Sequence, residues 1–154
     1  MAEDPVEAGV HATGGATRIY QDDRIRVSWD PSLCIHTAIC LRRLPAVFDV
    51  KARPWIDVSG ADADAIADTV RACPTSALRY EGPAVQPESP DMPSSVEIRP
   101  NGPLYVRGQV TITAPGGESR MLTRAALCRC GASQNKPYCD NSHRAVGFRD
   151  TSKP

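Results

Sequence analysis

Cys128-Arg-Cys130-Gly-Ala-Ser133-Gln-Asn-Lys-Pro137-Tyr-Cys139-Asp140-Asn141-Ser142-His143 places three thiols and one imidazole within sixteen residues. Cys128 and Cys130 flank a single residue, so one extended loop can present both to one iron. Cys139 and His143 stand at i and i+4, a spacing that puts two side chains on one face of a helical turn. Pro137 suits the first turn of such a helix, and Asp140 falls early enough to complement its dipole. The surrounding sequence is polar and nearly free of apolar periodicity. Such a segment does not fold by burial and is expected to fold around a metal centre. Zinc is an alternative occupant, because three thiolates and a histidine also make a tetrahedral zinc site. Structural zinc sites, however, commonly separate paired cysteines by two to four residues, and here only Arg129 intervenes.

The same residues resemble the mitoNEET-like CDGSH iron–sulfur family. Its pattern runs Cys-x-Cys, two residues, Ser or Thr, three residues, Pro, one residue, then Cys-Asp-Gly-Ser/Ala/Thr-His. Every position matches except Asn141, which stands where the family has Gly. Asn is the residue after Gly that best tolerates positive φ, so this departure alters the backbone little. The resemblance extends upstream over Asn101-Gly102-Pro103-Leu104-Tyr105-Val106-Arg107-Gly108. It implies that Cys128, Cys130, Cys139 and His143 ligate one [2Fe–2S] cluster. A neutral imidazole in place of a thiolate leaves the centre less negative and raises its potential. It also makes the site acid-sensitive, because a protonated imidazole holds no metal.

A second constellation is Cys34-Ile-His36-Thr37-Ala-Ile-Cys40, followed by Cys73-Pro74. Bacterial ferredoxin motifs run Cys-x₂-Cys-x₂-Cys with a distant Cys-Pro. Here Thr37 occupies the middle slot, leaving three thiolates. The stretch from Arg24 to Tyr80 resembles the divergent single-cluster ferredoxin family. That resemblance rests on Cys34-x-His36, Cys40, Arg53-Pro54-Trp55-Ile56 and Cys73-Pro74-Thr75-Ser76-Ala77-Leu78. Three thiolates suit a [3Fe–4S] cluster, or a [4Fe–4S] cluster whose fourth iron takes His36, water or a partner's ligand. His36 stands one residue off the vacant slot. It reads equally well as a ligand or as an exposed loop histidine.

Between and around these groups the pattern is that of small elements. Ile25, Val27 and Trp29 alternate with polar residues, as in a half-buried strand. Ile39–Phe48, interrupted by Pro45, suggests one or two helical turns. Trp55, Ile56 and Val58 suggest another strand. Ser59 with a carboxylate at Asp62 is a helix-start signal. Ile66, Val70 and Cys73 then follow at i, i+4 and i+7, ending at Pro74. Ala77–Tyr80 reads as a closing strand. Val96, Ile98, Leu104, Val106, Val110 and Ile112 read as short strands joined by Gly turns, with Ala114–Gly117 as a hairpin loop.

The expected architecture is α+β. A disordered tail (1–18) precedes a small ferredoxin-like domain (19–82), a Pro-rich linker (83–93) and a CDGSH-type, β-rich cluster-binding domain (94–154). Four prolines fall between Gly82 and Pro93, which makes that seam stiff. Only 5% of the 154 residues are aromatic, and domains of this size commonly need metals or oligomerisation for stability. Charge also divides at the seam. Residues 1–93 hold nine Lys/Arg against fourteen Asp/Glu, a net of −5, and residues 94–154 hold nine against four, a net of +5.

The net charge of zero argues against a nucleic-acid partner. No apolar run reaches the length of a membrane span, and the acidic start is no secretory signal, so a cytoplasmic location is expected. Two groups of three cysteines in a reducing compartment suggest metal chemistry rather than disulfides. No acid–base pair, nucleophile motif or nucleotide loop stands out. The expected role is therefore electron transfer with an unidentified redox partner protein, not catalysis. The alternatives are cluster transfer or redox and pH sensing, and a zinc-stabilised interaction module. A homodimer through residues 94–154 is expected from thin burial there and from the strand exchange typical of single-motif CDGSH proteins.

Overall fold

Short antiparallel strands organise both halves of the chain in the computed structural model, which describes residues 16–150. β1 (Arg18–Gln21), β2 (Arg26–Trp29) and β3 (Leu78–Glu81) form one sheet in that order. Tyr20 pairs with Val27 and Val27 with Tyr80, so the three side chains line one face of the sheet. The tail expected over 1–18 lies largely outside the described residues, and Arg18 already opens β1.

α1 (Ile39–Arg43) and α2 (Ala63–Arg71) lie between β2 and β3. α1 stops before Pro45, as the sequence suggests. In α2, Ile66, Ala67 and Val70 are buried with Val27, Phe48, Ile56 and Leu78 in one apolar core. Burial of each large aliphatic side chain contributes roughly 1.5–3 kcal/mol. Ile66→Ala therefore costs about 2–5 kcal/mol once the cavity is included.

Two expectations fail between the helices, for one reason. Asp57 accepts hydrogen bonds from the Ser59 amide (3.0 Å) and from the Ser59 hydroxyl (2.6 Å). This turns Val58–Gly60 into a 3₁₀ turn. The supposed strand at Trp55–Val58 is thus reduced to a single bridge between Phe48 and Ile56. Ser59 caps nothing, and α2 begins after Asp62. The proline-rich stretch also contributes to the core, because Val85 is buried there.

β4 (Ser95–Ile98), β5 (Leu104–Thr113) and β6 (Ser119–Leu127) form the second sheet, again in chain order. Ala114–Gly117 is the hairpin loop, closed by Ala114 N–H to Glu118 O at 2.7 Å. Gly108, expected in a turn, lies inside β5 instead. The register shifts between Arg107 and Val110, and Gly108 takes φ +135°. A Cβ there would fall 2.2 Å from Ser94 Oγ, so only glycine fits this bulge.

The last element is α3 (Ser142–Ala145). It is shorter than the sequence spacing suggests. Asn141 adopts φ 70° immediately before it, so neither Pro137 nor Cys139 is helical. With two antiparallel sheets and small helices, the chain is a mixed α+β protein. It divides into two compact units, one comprising residues up to Cys73 with Ala77–Glu88, the other Pro74–Ser76 with residues from Ser89 onward.

Candidate metal centres

The C-terminal centre grows out of the end of β6. Cys128 N–H donates to Pro137 O at 2.8 Å and Cys139 N–H to Ala126 O at 2.9 Å, so residues 137–139 run back beside the strand end. This brings the two cysteines together although eleven positions separate them in sequence. The intervening loop is held by Ser133, whose hydroxyl donates to Tyr138 O (2.6 Å) and accepts from Asn135 N–H (3.0 Å). Asp140 joins loop to helix, accepting from Gln134 N–H at 2.8 Å and from Ser142 N–H at 2.9 Å. Asp140 thus acts through two specific amides rather than on a helix dipole, because α3 is a single turn.

The four predicted donors form two pairs. Cys128 Sγ and Cys130 Sγ are 3.9 Å apart, and Cys139 Sγ and His143 Nδ1 are 3.6 Å apart. Two thiolates about 2.3 Å from one tetrahedral metal stand about 3.8 Å apart, and a thiolate–imidazole pair slightly closer. Each pair therefore has the width of one metal ion. All four line one recess together with Gly102 and Pro103. Among the described residues no three such groups converge on a single ion. A donor set of two such pairs fits a two-metal centre.

Backbone amides prepare the sulfurs for the anionic state. Ala132 N–H points at Cys130 Sγ (3.3 Å) and Asn141 N–H at Cys139 Sγ (3.4 Å). Burial opposes ionisation of Cys128, but the amides of Ser133, Gly131 and Cys130, with the Cys130 thiol, outweigh it and lower its pKa. Burial raises the pKa of Cys139, and the charges of Asp140, Cys128 and Cys130 add to this against the Asn141 amide. Burial also lowers that of His143, keeping the imidazole neutral, as a metal ligand must be.

Arg129, which the sequence analysis passed over, ties this centre together. Its guanidinium donates to Gly102 O (2.9 Å), Arg99 O (3.0 Å) and Asp150 (2.8 Å), and lies 5.1 Å from the Phe148 ring centroid. The available signal was its place between two cysteines, where a long cationic side chain has to find partners outside the site.

In the N-terminal centre, Trp29 ends β2 and a tight turn follows, with Leu33 N–H donating to Asp30 O at 3.2 Å. Cys34 comes next, and His36 Nδ1 lies 3.8 Å from its sulfur. Cys40 sits in α1, and Cys73 follows α2. Cys40, Cys73 and Trp29 all pack against the same core. The thiols of Cys34 and Cys40 both sense Cys73. Burial, then the neighbouring charges of Cys73 and Cys34, push Cys40 up to about 11. Burial and Cys73 also raise Cys34, against the His36 amide and the Trp29 indole. Cys34 and Cys40, whose thiols resist ionisation, fit a cationic centre that draws the protons off. All six cysteines are free. His36 is exposed, yet its ring reaches the site's edge.

Comparison with known proteins agrees with this division. Residues 20–82 match the family described as divergent 4Fe-4S mono-cluster, and residues 101–144 match iron-binding zinc finger CDGSH type. Uncharacterized protein YjdI of Escherichia coli, in strains K12 and O157:H7, is 30% identical over 66 residues. The match spans 43% of this chain and 87% of YjdI.

Proposed function

The chain belongs to the divergent 4Fe-4S mono-cluster family and the CDGSH-type family, joined in that order, and we propose that it is a non-enzymatic electron carrier with one cluster on each unit. The observation that carries this reading is the grouping of Cys128 with Cys130 and of Cys139 with His143, each pair one metal wide, around one recess. Cys128, Cys130, Cys139 and His143 hold a [2Fe–2S] cluster. Cys34, Cys40 and Cys73 hold a [3Fe–4S] or [4Fe–4S] cluster in a ferredoxin-like domain, with His36 at its margin. The clusters supply one-electron chemistry.

The chain's own residues do the rest. The Ala132 and Asn141 amides stabilise thiolate charge, Asp140 fixes the distance from loop to helix, and Arg129 anchors the loop from outside. His143, half-buried on a single helical turn, is a protonatable ligand within reach of water. That position favours a second reading, in which acid releases the cluster to an acceptor or reports pH. Six free thiols suit a reducing, cytoplasmic setting, and no helix among the described residues is long and apolar enough to cross a membrane. Anaerobic titration of the cluster-loaded protein with dithionite tests the carrier reading. Two reversible one-electron steps are expected; bleaching that reoxidation does not restore would favour cluster release.

A further inference from the structure

The Nε1 atoms of Trp29 and Trp55 are sealed from solvent and have no hydrogen-bond partner. A folded chain rarely leaves a buried N–H unpaired unless something bound supplies the acceptor. Trp29 is placed to meet such an acceptor. It is the last residue of β2, and Cys34 follows directly on the Asp30–Leu33 turn. That turn is pinned, because Asp30 Oδ1 accepts from the Ser32 amide at 2.9 Å. The indole itself is clamped. Trp55 meets it edge to face at 5.0 Å and 74°, and Arg18 Cζ lies 5.7 Å from its centroid on the neighbouring strand.

We propose that the Trp29 indole N–H donates a hydrogen bond to sulfur of the N-terminal cluster, at the Cys34 thiolate or an adjoining sulfide, and tunes its potential. The inference rests on the reading of Cys34, Cys40 and Cys73 as a cluster site. Trp29 packs against the same core as Cys40 and Cys73, so its indole borders the three-thiol site. Such a bond stabilises the more negative, reduced state more than the oxidised one and raises the potential. Trp29 is then a positioning and tuning residue rather than a ligand. Trp55, edge to face against it, serves to hold the Trp29 ring.

The chain has only two tryptophans, so tryptophan labelled with ¹⁵N in the indole addresses both and nothing else. ENDOR on the full, cluster-loaded protein, with the N-terminal cluster in its paramagnetic state, should show ¹⁵N coupling. The coupling should persist in Trp55→Phe and vanish in Trp29→Phe. Trp29→Phe should also shift the N-terminal potential downward and leave the C-terminal potential where it was. If Trp29→Phe holds no cluster, the labelled wild type and Trp55→Phe still decide. An N-terminal cluster signal without tryptophan ¹⁵N coupling, or coupling that survives in Trp29→Phe, overturns the hydrogen bond while leaving the site standing. Absence of any cluster signal from this site overturns both.

Discussion

Cys139 Sγ stands 3.6 Å from His143 Nδ1 because Asn141, between them, takes φ 70°. With that residue in the left-handed region the chain turns sharply after Cys139, and α3 starts one residue later. The same turn directs the Asn141 amide at the Cys139 sulfur. The residue at 141 is therefore a conformational device. Asn141→Gly should leave cluster content unchanged. Asn141→Val should destabilise the loaded form by about 1–2 kcal/mol, the cost of a bulky L-residue in this region. Thermal melts followed by visible absorbance separate the two variants.

His143→Cys should retain a two-iron cluster, lower its potential and abolish its acid lability. The extra thiolate adds negative charge, and the protonatable ligand is gone. In the wild type, burial lowers the His143 pKa below its usual 6.5, with Arg144 reinforcing this and Asp140 opposing it. The ligand is therefore competent above that lowered value and lost as pH falls through it. Bleaching should begin below the ordinary histidine range. Potentiometry and absorbance against pH check both halves; an unshifted potential would count against His143 as a ligand.

Asp140 binds the loop to the helix only as a carboxylate. Burial opposes its ionisation, but Ser142 and the Gln134 amide outweigh that and lower its pKa. Its contribution is present above the unfolded value near 3.9 and disappears as pH falls through the lower folded one. Asp140→Ala should cost about 1–2 kcal/mol at neutral pH, a partly exposed charge-assisted pair being screened by water. Chelator challenge should strip its cluster faster than that of the wild type.

In the metal-free protein the cysteines should differ in reactivity. Cys40, pushed up to about 11 by burial and its thiol neighbours, should alkylate roughly one to two orders of magnitude more slowly than Cys128, whose pKa is lowered. Mass mapping after timed iodoacetamide treatment reads this directly. In the loaded protein, substitution of Cys34, Cys40 or Cys73 should remove the N-terminal cluster. His36→Ala should perturb its EPR signal without removing it, and an unchanged spectrum would exclude His36 as a ligand.

A homodimer through the second sheet is also proposed. Val96, Ile98 and Met121 are 63%, 60% and 68% exposed, and the strand register puts them on one face. Charge alone contributes little at physiological salt, whereas an exposed apolar face calls for an apolar cover. Light scattering should give about twice the 16.6 kDa chain mass, and a value near 16.6 kDa at micromolar concentration would refute the dimer.

The two residue groups proposed as ligand sets stand out in the sequence because cluster binding demands particular residue types at short spacings. The α2 stripe through Ile66 and Val70 was legible for a similar reason, since burial imposes periodicity. What escaped was set by side chains acting on nearby backbone. Nothing in the spacing of Ser59 and Asp62 reveals that Asp57 captures the Ser59 amide first. The i, i+4 relation of Cys139 and His143 suggested one helical face, whereas a left-handed Asn141 brings the two together. Arg129 escaped because its partners, the Gly102 and Arg99 carbonyls and Asp150, are distant in sequence.

The most direct test of the whole account is iron and acid-labile sulfide per chain, measured with EPR of the oxidised and reduced protein. The account predicts about five or six irons per chain, two of them in a reduced [2Fe–2S] signal lost in Cys128→Ser. The remaining three or four should be lost in Cys40→Ser. A colourless protein with zinc in place of iron, and no labile sulfide, would contradict it.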